Sequence, residues 1–172
     1  MLRTTVLNTI LFIAGWTACV LGGDSLWLLI PALVLLVHFL YVSSWAAEGK
    51  LVVSCMLIGS VISSAMLQMN WLNIFGHSQL TPLWLALSWA LVGTLLNHAL
   101  LWSARPWWRA SVLGAIAVPL MYLAVAQRPD VVLTQALGVS LPLLAATGAV
   151  LLPLLHGFAQ LYREQYQLTK RR

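Results

Sequence analysis

Asn8, His38, the adjacent pair Asn97-His98, and His156 each interrupt a predominantly apolar stretch. A neutral imidazole is both a metal ligand and a proton carrier near neutral pH. Histidines in such company therefore open two chemistries: a metal or haem centre, or general acid/base catalysis. Other chemistries lack their residues. The sequence has no Gly-x-x-x-x-Gly-Lys phosphate loop, no His-Glu-x-x-His, no Cys-x-x-Cys and no Gly-x-Ser-x-Gly.

Composition dictates what must position these side chains. Of 172 residues, 61% are hydrophobic and 8% charged, with nine tryptophans and a mean hydropathy of +0.90. Soluble domains have roughly a quarter of their residues charged. A soluble globule of this composition would leave large apolar areas in water, whereas apolar runs of about 20 residues match the thickness of a bilayer. The expected architecture is all-α: a single polytopic membrane helix bundle with six transmembrane helices. The spans fall at about 4–22, 26–45, 51–69, 82–102, 110–127 and 139–161, followed by a basic tail, 162–172. The first is expected to be a retained helix and not a cleaved leader. Residues 70–81 form the one substantial loop, and 131–138 a short interfacial helix or loop. Pro142 and Pro153 are expected to bend the last span.

The net charge of +5 does not point to nucleic acid, because the basic residues sit at the ends of apolar runs and not along one polar face. Instead they orient the bundle. One side receives Arg3, Lys50, Arg105, Arg109, Arg163, Lys170, Arg171 and Arg172, and the other Arg128 alone. By the positive-inside rule both termini are cytoplasmic. Gln68, Asn70, Asn73, His77, Arg128 and Asp130, with Gln127 beside them, then form a candidate outer mouth. Trp27, Trp71, Trp84, Trp45, Trp102, Trp107 and Trp108 fall near span ends as belt anchors, while Trp16 and Trp89 lie deeper and pack between helices. Cys19 and Cys55 lie near opposite ends of their spans, which forbids a disulfide between them.

Helix association in lipid depends on small residues and interhelical hydrogen bonds. Stripes of this kind are Asn8-Leu11-Gly15-Ala18-Gly22, Gly59-Ser60-Ser63-Ser64, Ala86-Ala90-Gly93-Asn97 and Pro142-Ala146-Ala149-Pro153-His156-Gln160. Depth carries more information. At a rise of about 1.5 Å per residue, Asn8, His38, Asn97, His98 and His156 lie within about one turn of the same inner-leaflet level. Polar groups at such depth usually face the bundle interior and are paired. No carboxylate is expected among them, since Glu48 is placed in the turn 46–50 before span three. The expected role is therefore to join helices or to line a cavity for a lipid, a small apolar molecule or a membrane partner, with no cofactor. Homo-oligomerisation is a further option for the partner. Two competing readings are an intramembrane enzyme of lipid metabolism using His38, His98 or His156, and a haem or metal subunit using the same histidines.

Asn8-x7-Trp16 with Cys19-x2-Gly22, Pro82-x-Trp84-x4-Trp89 followed by Asn97-His98, and Arg105-Pro106-Trp107 followed by Gly114-x4-Pro119-x2-Tyr122 together resemble a bacterial family of small inner-membrane proteins known only as a domain of unknown function. The likeness covers about residues 6–126. It implies multi-pass residence in the bacterial inner membrane and a lipid-linked role. It carries over no functional residue.

Overall fold

A computed structural model describes residues 2–76 and 79–170; His77 lies outside the described residues. The described residues form six α-helices: α1 (Leu2–Gly22), α2 (Leu29–Val37), α3 (Trp45–Gln68), α4 (Leu83–Leu95), α5 (Trp108–Val125) and α6 (Leu137–Lys170). Of these, α1, α3, α5 and α6 are long and apolar enough to cross a membrane. Gly23, at a φ of +57°, turns the chain out of α1 in the left-handed conformation that glycine adopts without strain. The 3-10 turn Leu26–Leu28 leads into α2, and the π-helical turn His38–Val42 leads out of it.

α4 departs from the expected span 82–102. Its 13 residues rise only about 20 Å, against about 30 Å for the hydrocarbon core, and the chain then continues as turns from Leu96 to Leu100. The reason lies in its position. Every residue from Ser88 to Leu96 is buried against α1, α2 and α3. Irregular backbone at membrane depth is tolerated where protein and not lipid surrounds it.

The architecture is all-α as expected, with one short ribbon between the helices. β1 (Leu72–Ile74) pairs antiparallel with β2 (Val131–Leu133), with Leu72 opposite Leu133, Asn73 opposite Val132 and Ile74 opposite Val131. The ribbon is extended by Phe75 N–H donating to Asp130 O at 2.8 Å and Thr134 N–H to Trp71 O at 3.2 Å. It satisfies backbone groups that apolar surroundings would otherwise leave unpaired. Of residues 131–138, expected as a short interfacial helix or loop, 131–133 are therefore a strand and 134–136 a short connection, and α6 begins at Leu137.

α6 is one continuous 34-residue helix with Pro142 and Pro153 inside it, running through most of the basic tail. At about 1.5 Å per residue it reaches about 51 Å, well beyond the thickness of a bilayer core. Its inward face is Ser140, Leu144, Gly148, Leu151, Leu155 and Ala159. Of the stripe starting at Pro142, Pro142, Ala146 and Gln160 are exposed and only His156 is buried, and a close approach to α5 is made instead at Gly148 against Gly114.

Elsewhere the small residues pack as their stripes require: Gly59 lies under the Trp89 ring, and Gly93 abuts Val52 and Cys55. Trp89 Nε1–H donates to Ser63 Oγ at 3.1 Å, and Ser63 Oγ also pairs with the Tyr122 hydroxyl at 2.9 Å, linking α3, α4 and α5. Trp84, expected at a membrane surface, is instead wholly buried beneath the Arg128 guanidinium, which lies 4.9 Å from its ring centre. Trp27, Trp45, Trp102, Trp107 and Trp108 are exposed.

Cys19 and Cys55 are both free thiols with no exposed surface. Maleimide labelling of the folded protein should accordingly leave both thiols unmodified, while unfolded protein takes two labels. Electrophoretic mobility should not change on reduction. Rapid labelling of the folded state would contradict the packing of Cys55 on Gly93.

Candidate functional site

The side chains that converge in the bundle are brought in by local features of four helices. Ser44 caps α3, its Oγ accepting the Ala47 N–H at 3.3 Å. The helix thus begins at Trp45, and Glu48 falls in its first turn, where the dipole favours a carboxylate. Glu48 also opens the buried stripe that continues through Val52, Cys55, Gly59, Ser63 and Met66. The expectation that Glu48 stays in a turn outside the histidine layer is therefore overturned. It is 5% exposed and central.

His38 starts the π-helical turn at the end of α2, a widened geometry often found at functional sites. It has no exposed surface. Asn8, on α1, donates its Nδ2–H to Thr94 O at 2.9 Å, using one of the carbonyls that the end of α4 leaves without a partner in its own helix. That donation settles the orientation of the Asn8 amide. Oδ1 faces His38 Nδ1 at 3.0 Å and must accept from it, so Nδ1 carries a hydrogen. His38 Nε2 then faces Glu48 Oε2 at 2.9 Å. Between these two atoms there is one proton, on the carboxyl or on the imidazole. A metal ion could take its place, with Nε2 and the carboxylate as ligands and Asn8 fixing the tautomer from behind.

The turns after α4 bring in the rest. Leu95 O accepts both the His98 N–H at 3.0 Å and the Leu100 N–H at 2.9 Å, a tight wrap that turns Asn97 and His98 toward Glu48. Asn97 Nδ2–H donates to Glu48 Oε1 at 3.0 Å. His98 Nε2 lies 3.2 Å from the same oxygen but off the direction a hydrogen bond requires. His98 Nε2 and Asn97 Oδ1 are thus buried polar atoms without hydrogen-bond partners, both beside Glu48. The His38 and His98 rings meet edge to face with centroids 5.6 Å apart.

One donor atom each from His38, Glu48 and His98 lie within 4.8 Å of one another. Tetrahedral coordination at about 2.1 Å would place such atoms about 3.4 Å apart. His38 Nε2 lies 2.9 Å from Glu48 Oε2 and His98 Nε2 3.2 Å from Glu48 Oε1, so an ion would be held through the two oxygens of one carboxylate or after a shift of the side chains within the 4.8 Å set. Both Nε2 atoms face the one carboxylate of Glu48.

Of the residues expected at one inner-leaflet level, Asn8, His38, Asn97 and His98 are brought together and His156 is not. His156 pairs with Ser103 Oγ at 2.9 Å, on the far side of the turns that follow α4. Glu48 and Thr94 are the members that sequence reasoning missed. The signal for Glu48 was present in its i, i+4 register with Val52 and in the Ser44 cap.

The candidate outer mouth is only partly assembled. The Arg128 guanidinium holds Asp130 at 2.8 and 2.9 Å, donates to Val20 O and covers Trp84, which makes it a staple between α1, α4 and the start of the ribbon. Arg128, Asp130 and Gln127 line a cleft of about 370 Å³ that excludes Gln68, Asn70 and Asn73. Gln68 and Asn70 are at the end of α3, and Asn73 lies half-buried in β1.

No curated protein and no solved structure matches this chain. Residues 5–154 match the family described as "Protein of unknown function (DUF2878)", and with so much of its length covered, the chain belongs to that family.

Proposed function

We propose that this chain is an integral membrane protein whose working part is a buried divalent-metal centre formed by His38, Glu48 and His98. The observation that carries this reading is the convergence of three donor groups from α2, α3 and the end of α4, with His38 held by Asn8 in the tautomer that presents Nε2. Two imidazoles and one carboxylate suit a zinc-class ion with a fourth position for water or for Asn97 Oδ1. Buried polar groups in a bundle of this hydropathy are costly, and an ion would satisfy His98 Nε2 and Asn97 Oδ1 together. A bound ion of this kind supplies Lewis-acid chemistry. The chain's own groups fix its position, exclude lipid and, through Asn8, orient the ligand ring. The charge distribution supports an orientation with the Arg105–Arg109 end and both termini in the cytoplasm, and the resemblance of the sequence supports a bacterial inner-membrane setting.

One observation favours a second reading. The proton between Glu48 and His38 is positioned for general acid/base work without a metal, which would suit an intramembrane enzyme acting on lipid. Metal analysis separates the two. Untagged protein purified in detergent and equilibrated with zinc should retain about one ion per chain. His98→Gln should reduce this to about a tenth or less, and Asn8→Ala should weaken binding roughly 10–100-fold, as loss of an orienting partner does. Background metal in the parent chain would overturn the metal reading and leave the acid/base one.

A further inference from the structure

A second site lies at the basic end of the bundle. Between the Leu101–Trp107 segment and the C-terminal half of α6 runs a cleft of about 1000 Å³, large enough for a lipid headgroup. His156 is at its base, 7% exposed. Ser103 Oγ donates its own hydrogen to Leu100 O at 2.7 Å, so His156 Nε2 must be the donor in the 2.9 Å bond to Ser103. In the neutral ring Nδ1 is then left as an acceptor. Arg105 stands on one wall and Arg163 on the other. Arg105 donates to Gln160 Oε1 at 3.2 Å, and Gln160 in turn occupies Glu164 Oε1 at 2.8 Å. Among the described residues neither arginine has an ion pair.

We infer that this cleft binds the phosphate of an anionic membrane phospholipid, held by Arg105 and Arg163. Charge complementarity selects the ligand: two guanidiniums, one from each side of the cleft, face a single lining carboxylate, Glu164, whose Oε1 accepts from Gln160, so the cleft keeps a net positive charge. Arginine forks match phosphate oxygens and are less strongly hydrated than ammonium groups. A lipid is favoured over a free anion by the walls. Leu101, Trp102 and Trp107 are exposed along the same cleft, with Trp102 59% and Trp107 70% accessible, and such rings are at home at the headgroup level of a bilayer. Basic pockets between membrane helices are a recurrent headgroup site. This inference does not depend on the metal centre.

Native mass spectrometry of the full chain, titrated in detergent with phosphatidylglycerol or phosphatidylcholine, tests it. The parent should retain phosphatidylglycerol at least about ten-fold more tightly than phosphatidylcholine, and the double variant Arg105→Gln/Arg163→Gln should lose that preference. Arg109→Gln, which removes a cation of the same end outside the cleft, should keep it. Both variants should unfold at the parent's midpoint, since these arginines make no buried contact. Equal retention of the two lipids overturns the proposal, as does a double variant that keeps the preference or an Arg109→Gln variant that loses it. Displacement of phosphatidylglycerol by millimolar inorganic phosphate would overturn the lipid source and indicate a site for free anions.

Discussion

Glu48→Ala should destabilise the folded chain by about 3 kcal/mol or more, while Glu48→Gln should cost about 1 kcal/mol or less, although both abolish metal binding. Both oxygens of Glu48 are engaged, Oε2 by His38 and Oε1 by Asn97. Truncation to Ala strands His38 Nε2 and Asn97 Nδ2 in a region from which water is excluded, and each stranded group costs about 1–3 kcal/mol. The Gln variant behaves differently because of the tautomer. With the His38 Nδ1 hydrogen committed to Asn8, Nε2 can accept from an N–H of the introduced amide while the amide carbonyl continues to accept from Asn97. Unfolding midpoints in detergent, measured without metal, read this difference directly. If Gln proved as damaging as Ala, His38 Nε2 would have to act as a donor in the variant too, and the acceptor role given to it here would be wrong. If neither variant were destabilised, Glu48 would not be the hub of the cluster. Repeating the measurement with zinc separates the two roles: the ion should raise the parent's midpoint and leave both variants unchanged.

How far the site was legible follows from what each kind of signal can encode. Depth along a span is written in the position of Asn8, His38, Asn97 and His98 between the ends of their apolar runs, and the structure places those four within reach of one another. Depth says nothing about direction around a helix axis. His156 is expected at the same level, yet its bond goes to Ser103. Glu48 was misplaced for a different reason: a charged residue flanked by Ala, Gly and Lys reads as a turn when hydropathy alone sets the helix boundary. The Ser44 cap and the i, i+4 stripe through Val52 and Cys55 set it earlier. The end of α4 was illegible, because an apolar run looks the same whether it is surrounded by lipid or by protein, and only the latter permits a break at Leu95. The ribbon depends on pairing between residues far apart in the chain, Leu72 with Leu133, which no local pattern records. The packing stripes fared better in α1 and α3, where glycine and serine alternate with large residues. In α6 the prolines suggested a face that Gly148 overrules.

That glycine sets the other large expected effect. Gly114→Ala and Gly148→Ala should each destabilise the protein by about 2 kcal/mol or more, against the usual preference of a helix for alanine. Replacing a helical glycine by alanine normally stabilises by about 1 kcal/mol, because the unfolded chain loses freedom. Here the added carbon at Gly114 would overlap Gly148 O and stand 2.7 Å from Gly148 C, while the carbon added at Gly148 would overlap Gly114 O and stand 2.6 Å from Gly114 C. These are backbone atoms, so no side-chain rotation relieves the contact, and α5 and α6 must move apart along their shared face. Overpacking of ordinary cores costs about 1–3 kcal/mol, and a backbone clash belongs at or above the upper end of that range. Steric cost therefore exceeds helix propensity at both positions. Gly157→Ala is the control: nothing lies within 4 Å of its added carbon, so propensity alone operates and the variant should match or exceed the parent in unfolding midpoint. The double variant Gly114→Ala/Gly148→Ala should cost less than the sum of the singles, since helices already separated by one methyl accommodate its neighbour more cheaply. Equal midpoints for Gly114→Ala and Gly157→Ala would mean that α5 and α6 do not meet at these glycines.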